Sequence, residues 1–460
     1  MHGKGTDGMM KRILSRAGWL LWMGCLMGLP AAAQDTLTLR QAIELALKQN
    51  PEAGSARAQV AEAKAGASLA RTALLPQINF TEDMSRGNDP VYAFGTRLRQ
   101  QRFTQADFAL PALNTPDAIG NFSTRIGGGW QVFDSLRTER QIRGAGLMKK
   151  SAESQAGAVD QQIVFGVVAA YQQALYAERE VATARHEVET AEALLQSADG
   201  HVKAGLAVES DRMSAQVNLA ACKQTLIAAE GDRALAWAGL RQAVGAPELS
   251  ESPLAPIEPR DFAAGDLQQE VAAALENRKD LHALGEMDQA QSAAVSAAKL
   301  GFGPHVNAYG NWENDAASVG GASGSNWVAG VQVGIDLLPL GKRAQLAREK
   351  AVKARTDAQL ESYRQRVRMQ VSQAHIQRET ARQSMETARA ATAQAAEGLR
   401  IVKNRYEAGL ATITDLLRAE DAERQSQANY WRAVYGNTVA YAQLLFATGT
   451  LTPEAAEDLQ

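Results

Sequence analysis

Two aspartates with equivalent surroundings are the charged residues whose spacing stands out in this chain. Asp211 and Asp415 each follow a copy of the sequence Ala-Gly-Leu-Ala, which occupies residues 204–207 and again residues 408–411. This pattern is typical of a helix that ends at glycine and of a second helix that begins shortly afterwards. A carboxylate near the start of a helix accepts hydrogen bonds from unpaired N–H groups and complements the helix dipole. Both aspartates are therefore candidate helix caps.

Other side chains show no arrangement that would support catalysis or hold a metal. The histidines after residue 100 lack metal-ligand spacing; they are His186, His201, His282, His305 and His375. Gly127-Gly128-Gly129 lies within a strand pattern and not ahead of a helix, which argues against a phosphate-binding loop. The sequence predicts neither an enzyme nor a cofactor.

The turn sequence belongs to a longer internal duplication. Residues 201–245 align without gaps with residues 405–449, at an offset of 204. A second correspondence, at an offset of 228, relates an earlier part of each half; it joins Leu39, Ile43, Leu47, Pro76 and Asn79 to Leu267, Val271, Leu275, Pro304 and Asn307. The difference between the offsets places an insertion between Phe80 and Phe133. The chain is therefore predicted to contain two repeats, 34–246 and 266–450, joined by a proline-rich linker, 247–265, and followed by a tail, 451–460.

The N-terminal residues resemble a secretory signal. Lys11, Arg12 and Arg16 precede an apolar run at 17–29 and three alanines, so residues 1–33 are predicted to be cleaved. Cys25 lies within this run, where its neighbours fit a lipid-anchor signal poorly. Cys222 is the other cysteine and would be the one left after cleavage, which excludes an internal disulfide framework. The formal net charge of -3 argues against a nucleic-acid partner.

Each half is predicted to fold as two helices, a β-hairpin and a long helical hairpin. In the first half the β-hairpin covers 77–134, with strands at 77–83 and 121–134 around an irregular loop at 86–120, and the helical hairpin covers 136–244. In the second half the β-hairpin covers 304–336, with strands at 304–314 and 327–336, and the helical hairpin covers 342–446. An uninterrupted helix of about 68 residues would be on the order of 100 Å long.

The strands alternate between apolar residues and residues that are polar or glycine. Such strands suit the wall of a transmembrane barrel, whose outer face meets lipid and whose inner face is wet. A soluble sheet would need a bulky apolar partner, whereas the rest of the chain is Ala-rich helix. Four strands cannot close a barrel, and open strand edges in lipid would leave backbone groups unpaired, so the chain is expected to oligomerise. Aromatic residues near strand ends suit interfacial girdles; they are Trp130, Phe133, Trp312 and Trp327.

Several motifs, in this order, resemble the TolC-type outer-membrane efflux protein family. They are Leu39-Arg40-Gln41-Ala42-Ile43-Glu44-Leu45-Ala46-Leu47 with Asn50-Pro51, then Leu75-Pro76-Gln77-Ile78, Val132-Phe133-Asp134 and the paired turns. The resemblance covers essentially the whole mature chain. It implies an α+β membrane protein, in which a homotrimer forms a 12-stranded barrel, four strands per chain, above a coiled-coil tunnel in the periplasm.

The resemblance also implies a function and working residues. The protein would be the outer-membrane exit duct of a tripartite efflux or type I secretion system, served by a periplasmic adaptor (membrane fusion) protein and an inner-membrane RND or ABC transporter. Tyr406, Asp415 and Asp211 would hold the periplasmic tip closed, and three copies of Asp415 around a pore would concentrate cations. Ala411 and Arg418 depart from the family pattern, so the gate is expected either to be looser or to use Arg212, Arg405 or Arg418. The adaptor would contact the turns, at Ala204, Gly205, Leu206, Ala408, Gly409 and Leu410.

Two other interpretations stay open from the sequence. The chain could be a periplasmic coiled-coil scaffold or adaptor with a soluble β part, in which case it would fractionate without detergent. A secreted enzyme would require a cluster of polar side chains, and the sequence offers none. The cargo is not identified by any motif.

Overall fold

The computed structural model describes residues 36–205, 207–262 and 265–459. The predicted signal peptide, Cys25 and Leu206 lie outside these ranges. The first half contains α1 (Leu39–Gln49), α2 (Pro51–Thr72), β1 (Gln77–Gly87), α3 (Pro90–Arg99), α4 (Leu110–Asn114), β2 (Ile119–Phe133), α5 (Arg137–Lys203) and α6 (Glu209–Val244). The second half contains α7 (Leu267–Asn277), α8 (Lys279–Leu300), β3 (His305–Ala316), β4 (Ser323–Gly334), α9 (Leu340–Glu407), α10 (Ile413–Thr448) and α11 (Pro453–Glu457).

The strands form one antiparallel sheet in the order β1-β2-β3-β4. The sheet therefore joins the two halves through the pairing of β2 with β3. β1 continues to Gly87, beyond the predicted end at Asp83, and β4 begins at Ser323, ahead of the predicted Trp327. Apart from Met84 the added residues are polar or glycine, so their composition indicates a turn although the ladder continues through them.

The segment 86–120, predicted to be an irregular loop, instead contains α3, a 3₁₀ turn (Gln105–Phe108) and α4. The Asp89 carboxylate accepts a hydrogen bond from the Tyr92 N–H at 2.9 Å, and Pro90 occupies the first turn of α3. Proline at this position costs no helical hydrogen bond. We refer to residues 88–118 as the insertion.

The helical hairpins account for most of the length of the molecule. α5 has 67 residues and α9 has 68, which gives each a length of about 100 Å at 1.5 Å per residue. Their return helices α6 and α10 have 36 residues each. None of the helices in the described ranges combines a membrane-spanning length with the necessary apolarity.

The largest core lies where α1, α5, α6 and α10 meet, between the sheet and the helical tip. Leu39, Ile43, Trp237 and Leu240 are completely buried there. The proline-rich linker contributes Leu254 and Ile257 to this core, and the predicted tail contributes Leu451 and Leu459. Both segments are therefore structural parts of the domain, because their apolar side chains fill space between the helices.

Candidate channel wall and helical tip

One face of the sheet is apolar and exposed. Residues that oppose each other in an antiparallel ladder point to the same face, and the register places Phe80, Ile126, Trp312 and Trp327 in one row across all four strands. Phe80 is 68% exposed and Trp327 is 79% exposed. Other rows of this face carry Ile78, Met84, Phe122, Ala308, Val331 and Val333. A surface of this kind requires an apolar environment such as lipid.

The four predicted girdle residues occupy two levels of this face. Trp130 and Phe133 lie at the end of β2 that leads to α5, and the Trp130 Nε1–H donates to the Leu74 carbonyl oxygen at 2.9 Å. Trp312 and Trp327 are direct partners, four residues inside the outer ends of β3 and β4. The next row outward is polar, consisting of Glu82, Thr124, Asn314 and Ser325. The tryptophan row thus borders a polar row. That these residues lie at the membrane–water interface stays a prediction.

The opposite face of the sheet is polar. The Arg125 guanidinium donates to Glu313 at 2.7 Å, and the Ser123 hydroxyl donates to the same carboxylate at 2.7 Å. Asn121 donates to Asp315 at 2.6 Å. Within the described residues, β1 and β4 each have a ladder partner on one side only. A sheet with one apolar and one wet face and two open edges can hide its backbone groups from lipid by closing with other copies.

The two turns at the far end of the helical hairpins have the same backbone geometry at glycine. Gly205 and Gly409 both have φ of +73°, a conformation that costs other residues free energy. The Gly409 N–H donates to the Tyr406 carbonyl at 2.9 Å, and the Leu410 N–H donates to the Arg405 carbonyl at 2.7 Å. Leu410 is 70% exposed. Among the residues that the structure describes, the turns therefore present small side chains and Leu410 to the surroundings, as an adaptor contact would need.

Asp415 closes the N-terminus of α10 through a capping box. The Thr412 hydroxyl lies 2.7 Å from the Asp415 carboxylate, the Thr412 N–H donates to the carboxylate at 3.0 Å, and the Asp415 N–H donates to the Thr412 hydroxyl at 3.2 Å. The Thr412 hydroxyl, with the Thr412 N–H, holds the pKa of Asp415 below its usual range. The structure therefore shows the capping role of this exposed aspartate; its role in a gate stays a prediction.

Asp211 and Tyr406 approach each other from different hairpins. Tyr406 packs against a small core at the tip formed by Ala198, Ala215 and Ile413. Burial raises the pKa of the Tyr406 hydroxyl, and the negative charge of Asp211 raises it further. The Asp211 carboxylate lies 3.5 Å from the Val208 N–H, which makes it a weak cap. The predicted gate residues of the two halves are thus neighbours within one chain.

The arginines expected to complete the gate differ in what they bind. Arg212 donates to Glu209 at 2.9 Å, and Arg405 donates to the Leu410 carbonyl at 3.3 Å. Arg418 forms no ion pair with any residue that the structure describes. Its positive charge helps to lower the pKa of Asp415, behind the hydrogen bonds from Thr412. Arg418 is therefore the gate candidate that is available for contact with another subunit.

A polar cavity between the two helical hairpins was missed by sequence reasoning. It has a volume of about 410 Å³, and its lining includes Glu187, Cys222, Glu420 and Arg424. Arg424 of α10 lies 3.7 Å from Glu187 of α5. Burial raises the pKa of both Glu187 and Glu420. These residues come from different repeats and share no motif, so only the packing of the hairpins brings them together.

The described residues contain no group of three or more His, Cys, Asp or Glu side chains that could hold a metal ion. The channel wall and the tip are built from ion pairs, caps and packed apolar side chains. Their geometry suits a passage and its closure.

Comparison with known proteins identifies the family. The model of the family described as outer membrane efflux protein matches residues 42–246 and 271–450. Protein CyaE of Bordetella pertussis is 29% identical over 399 residues, covering 85% of this chain and 79% of that protein. Outer membrane protein OprJ of Pseudomonas aeruginosa is 25% identical over 456 residues, covering 93% and 89%.

Solved structures share the fold. The Campylobacter jejuni CmeC outer membrane channel superposes with a TM-score of 0.76 at 16% identity, covering 91% of this chain and 88% of that one. The open state of the Neisseria gonorrhoeae MtrE outer membrane channel gives 0.73 at 18% identity, covering 90% and 91%. The resemblance and fold class drawn from the sequence are confirmed: the chain belongs to the outer membrane efflux protein family and forms an outer-membrane channel that extends into the periplasm.

Proposed function

We propose that three copies of this chain form a passive exit duct, closed at its periplasmic tip and opened by an adaptor that serves an inner-membrane RND or ABC transporter. The observation that carries this proposal is the sheet, which has an exposed apolar face, a polar face and two open edges. Three sheets of four strands close a barrel and leave no backbone edge in lipid. Below it, the helical hairpins make the periplasmic tunnel, whose depth is set by α5 and α9, each about 100 Å long.

At the tip, we propose that Tyr406, Asp415 and Asp211 keep the passage narrow and that Arg418 contacts a neighbouring subunit. The packing of Tyr406 against the tip core that includes Ala198 and Ala215 of the other hairpin supports this, because a contact between hairpins resists their separation. The turns 204–207 and 408–411 are the proposed adaptor surface. Their glycines leave open space around the backbone, into which another helical tip can pack.

The channel is tested by the conductance of the purified protein in planar lipid bilayers. We expect discrete conductance steps, and we expect Tyr406→Ala and Asp415→Ala to raise the leak conductance because each removes a contact at the closed tip. Glu397→Ala is the matched control, since Glu397 is an exposed acid of α9 whose ion partner is Arg400 on the same helix.

Two results would count against the proposal. Absence of pores across a range of pH and voltage would argue against a channel, and recovery of the protein in the soluble fraction without detergent would favour a periplasmic scaffold. An increase in leak that is equal in Glu397→Ala and Asp415→Ala would remove the gate assignment and leave the channel in place.

A further inference from the structure

The insertion between β1 and β2 lies over the polar face of the sheet, at the end away from the long helices. The Ser85 and Tyr92 hydroxyls are 2.9 Å apart. The Gln100 side-chain amide donates to the Asn121 side chain and to the Gly120 carbonyl, both at 2.9 Å. Ser85 and Asn121 belong to the same face as Arg125 and Glu313 in the strand register. The insertion therefore covers the wet face and leaves the apolar face open.

The same layer reaches across to the fourth strand. The Asn326 side chain of β4 donates to the Arg99 carbonyl at 3.3 Å, and the Arg99 guanidinium lies 3.8 Å from Glu313 of β3. Gly324 allows this approach, because a Cβ at that position would collide with the Arg99 carbonyl oxygen. Asp315 is completely buried under the layer. The insertion of one chain thus contacts all four strands of its own sheet, from β1 to β4.

Contacts within the insertion show that it is a folded layer. The Phe103 ring packs edge-on against Phe94 and Phe108, with centroid distances of 4.8 and 5.1 Å. Arg97 and Asp107 form an ion pair. The equivalent connection in the second repeat is the short segment 317–322 between β3 and β4. The added residues of the first repeat therefore build a defined structure at this end of the sheet.

We propose that the insertion is a constriction at the outer end of the lumen that limits the size of molecules able to pass. The proposal rests on the proposed function, since it requires a closed barrel of several copies. A helix with its side chains is about 10 Å thick, so a copy of α3 against the wall in each subunit narrows the lumen on every side. This constriction is separate from the helical tip, which lies at the opposite end of the molecule.

The test is size-selective labelling of a cysteine inside the barrel on intact cells. Both variants carry Cys222→Ser, so that the new thiol is the one labelled. Gln77→Cys places a thiol on the polar face of the sheet, at the end of β1 nearest the helices. Val319→Cys places a thiol in the turn between β3 and β4, where the Val319 side chain is 78% exposed. The probes are a small impermeant maleimide and a maleimide carried on a polyethylene glycol chain of several kilodaltons. We expect the small probe to label both positions and the large probe to label only Val319→Cys.

Replacing residues 89–117 with a short Gly-Ser linker is expected to let the large probe label Gln77→Cys to the level seen at Val319→Cys. Gly324→Ala keeps the insertion in the chain but forces the Arg99 backbone away from the wall. It should therefore also increase labelling of Gln77→Cys by the large probe. Gly129→Ala is its matched control, because Gly129 lies on the same face with no other atom near its Cβ position. It should leave the large probe excluded.

Labelling of Gln77→Cys by the large probe while the insertion is intact would overturn the constriction. The constriction would also be overturned if the small probe labelled Gln77→Cys in none of the variants, since Gln77 would then not face the lumen. Absence of labelling at Val319→Cys would instead contradict the outer-membrane arrangement of the proposed function. The two proposals can therefore fail separately.

Discussion

The two turns at the helical tip have the same Ala-Gly-Leu-Ala sequence but are followed by caps of different quality. In the second turn the Thr412 hydroxyl and the Asp415 carboxylate complete a capping box. In the first turn Val208 stands in the place of Thr412 and offers no hydroxyl, so Asp211 reaches the backbone at 3.5 Å only. Loss of a side-chain cap costs about 1 kcal/mol. The two repeats thus share the turn but differ in how strongly the start of the following helix is stabilised.

The largest expected effect removes what the turns share. Gly205→Val and Gly409→Val each force a β-branched residue into a φ of +73°, which costs about 1–2 kcal/mol or more. Both glycines have open surroundings, so we expect equal losses of protection at the two turns in amide hydrogen exchange. Gly398→Ala, at an uncrowded position within α9, is the control and should not lower protection. Clearly unequal losses would mean that the turns differ in more than their caps.

Exchanging the cap residues should come next in size. Thr412→Val removes the hydroxyl of the capping box and should open the start of α10 by about 1 kcal/mol, or roughly fivefold in exchange rate. Val208→Thr should slow exchange at the start of α6 by a similar factor. The backbone at Val208, with φ of -98° and ψ of 156°, is close to that at Thr412, with -86° and 160°. If Val208→Thr brings no added protection, the caps do not explain the difference.

Acid should weaken the helix start that follows the second turn. The folded pKa of Asp415 is below its ordinary value of 3.8, chiefly because of the Thr412 hydroxyl. The stability that the ionised carboxylate gives is therefore fully present above the ordinary value and is lost as pH falls through the lower, folded value. Exchange at the start of α10, corrected for its intrinsic pH dependence, should accelerate in this window. The Thr412→Val variant should lose most of this acceleration, and its persistence there would show another cause.

The smallest effect is expected from neutralising the weaker cap. Asp211→Asn should change exchange at the start of α6 by less than twofold, because a 3.5 Å contact is at the limit of a hydrogen bond. Asp415→Asn should have the larger effect of the two, at the start of α10. The reverse order, measured in the same exchange experiment, would contradict the assignment of Asp415 as the stronger cap.

The sequence predicted the periodic parts of the fold well, because periodicity records which face of an element is buried. Alternation in β4 and the long run without proline in α5 both lead directly to the observed elements. Periodicity did not predict the helices of the insertion, because α3 and α4 are short and are held by contacts such as that of Phe94 with Phe103. The burial of the linker residue Leu254 was not predicted either, because a single apolar residue among prolines forms no periodic pattern.

The candidate site was predictable in its positions but not in its pairings. The repeat identified Asp211 and Asp415 as equivalent residues, and the structure shows that their caps differ because of Val208 and Thr412. The approach of Glu187 to Arg424 depends on how two hairpins pack, and neither residue has a counterpart that would mark it. Contacts between distant segments are set by packing, which a local pattern does not record.

The burial of Leu451 and Leu459 in the same core as Leu39 has a consequence for how the protein matures. This core cannot close until residues that are far apart in the sequence have met, so we expect much of the polypeptide to cross into the periplasm before stable folding begins. Contacts of such high sequence separation slow folding. During that delay the apolar strands are exposed to water, so we expect the unfolded subunit to be prone to aggregation until α11 docks.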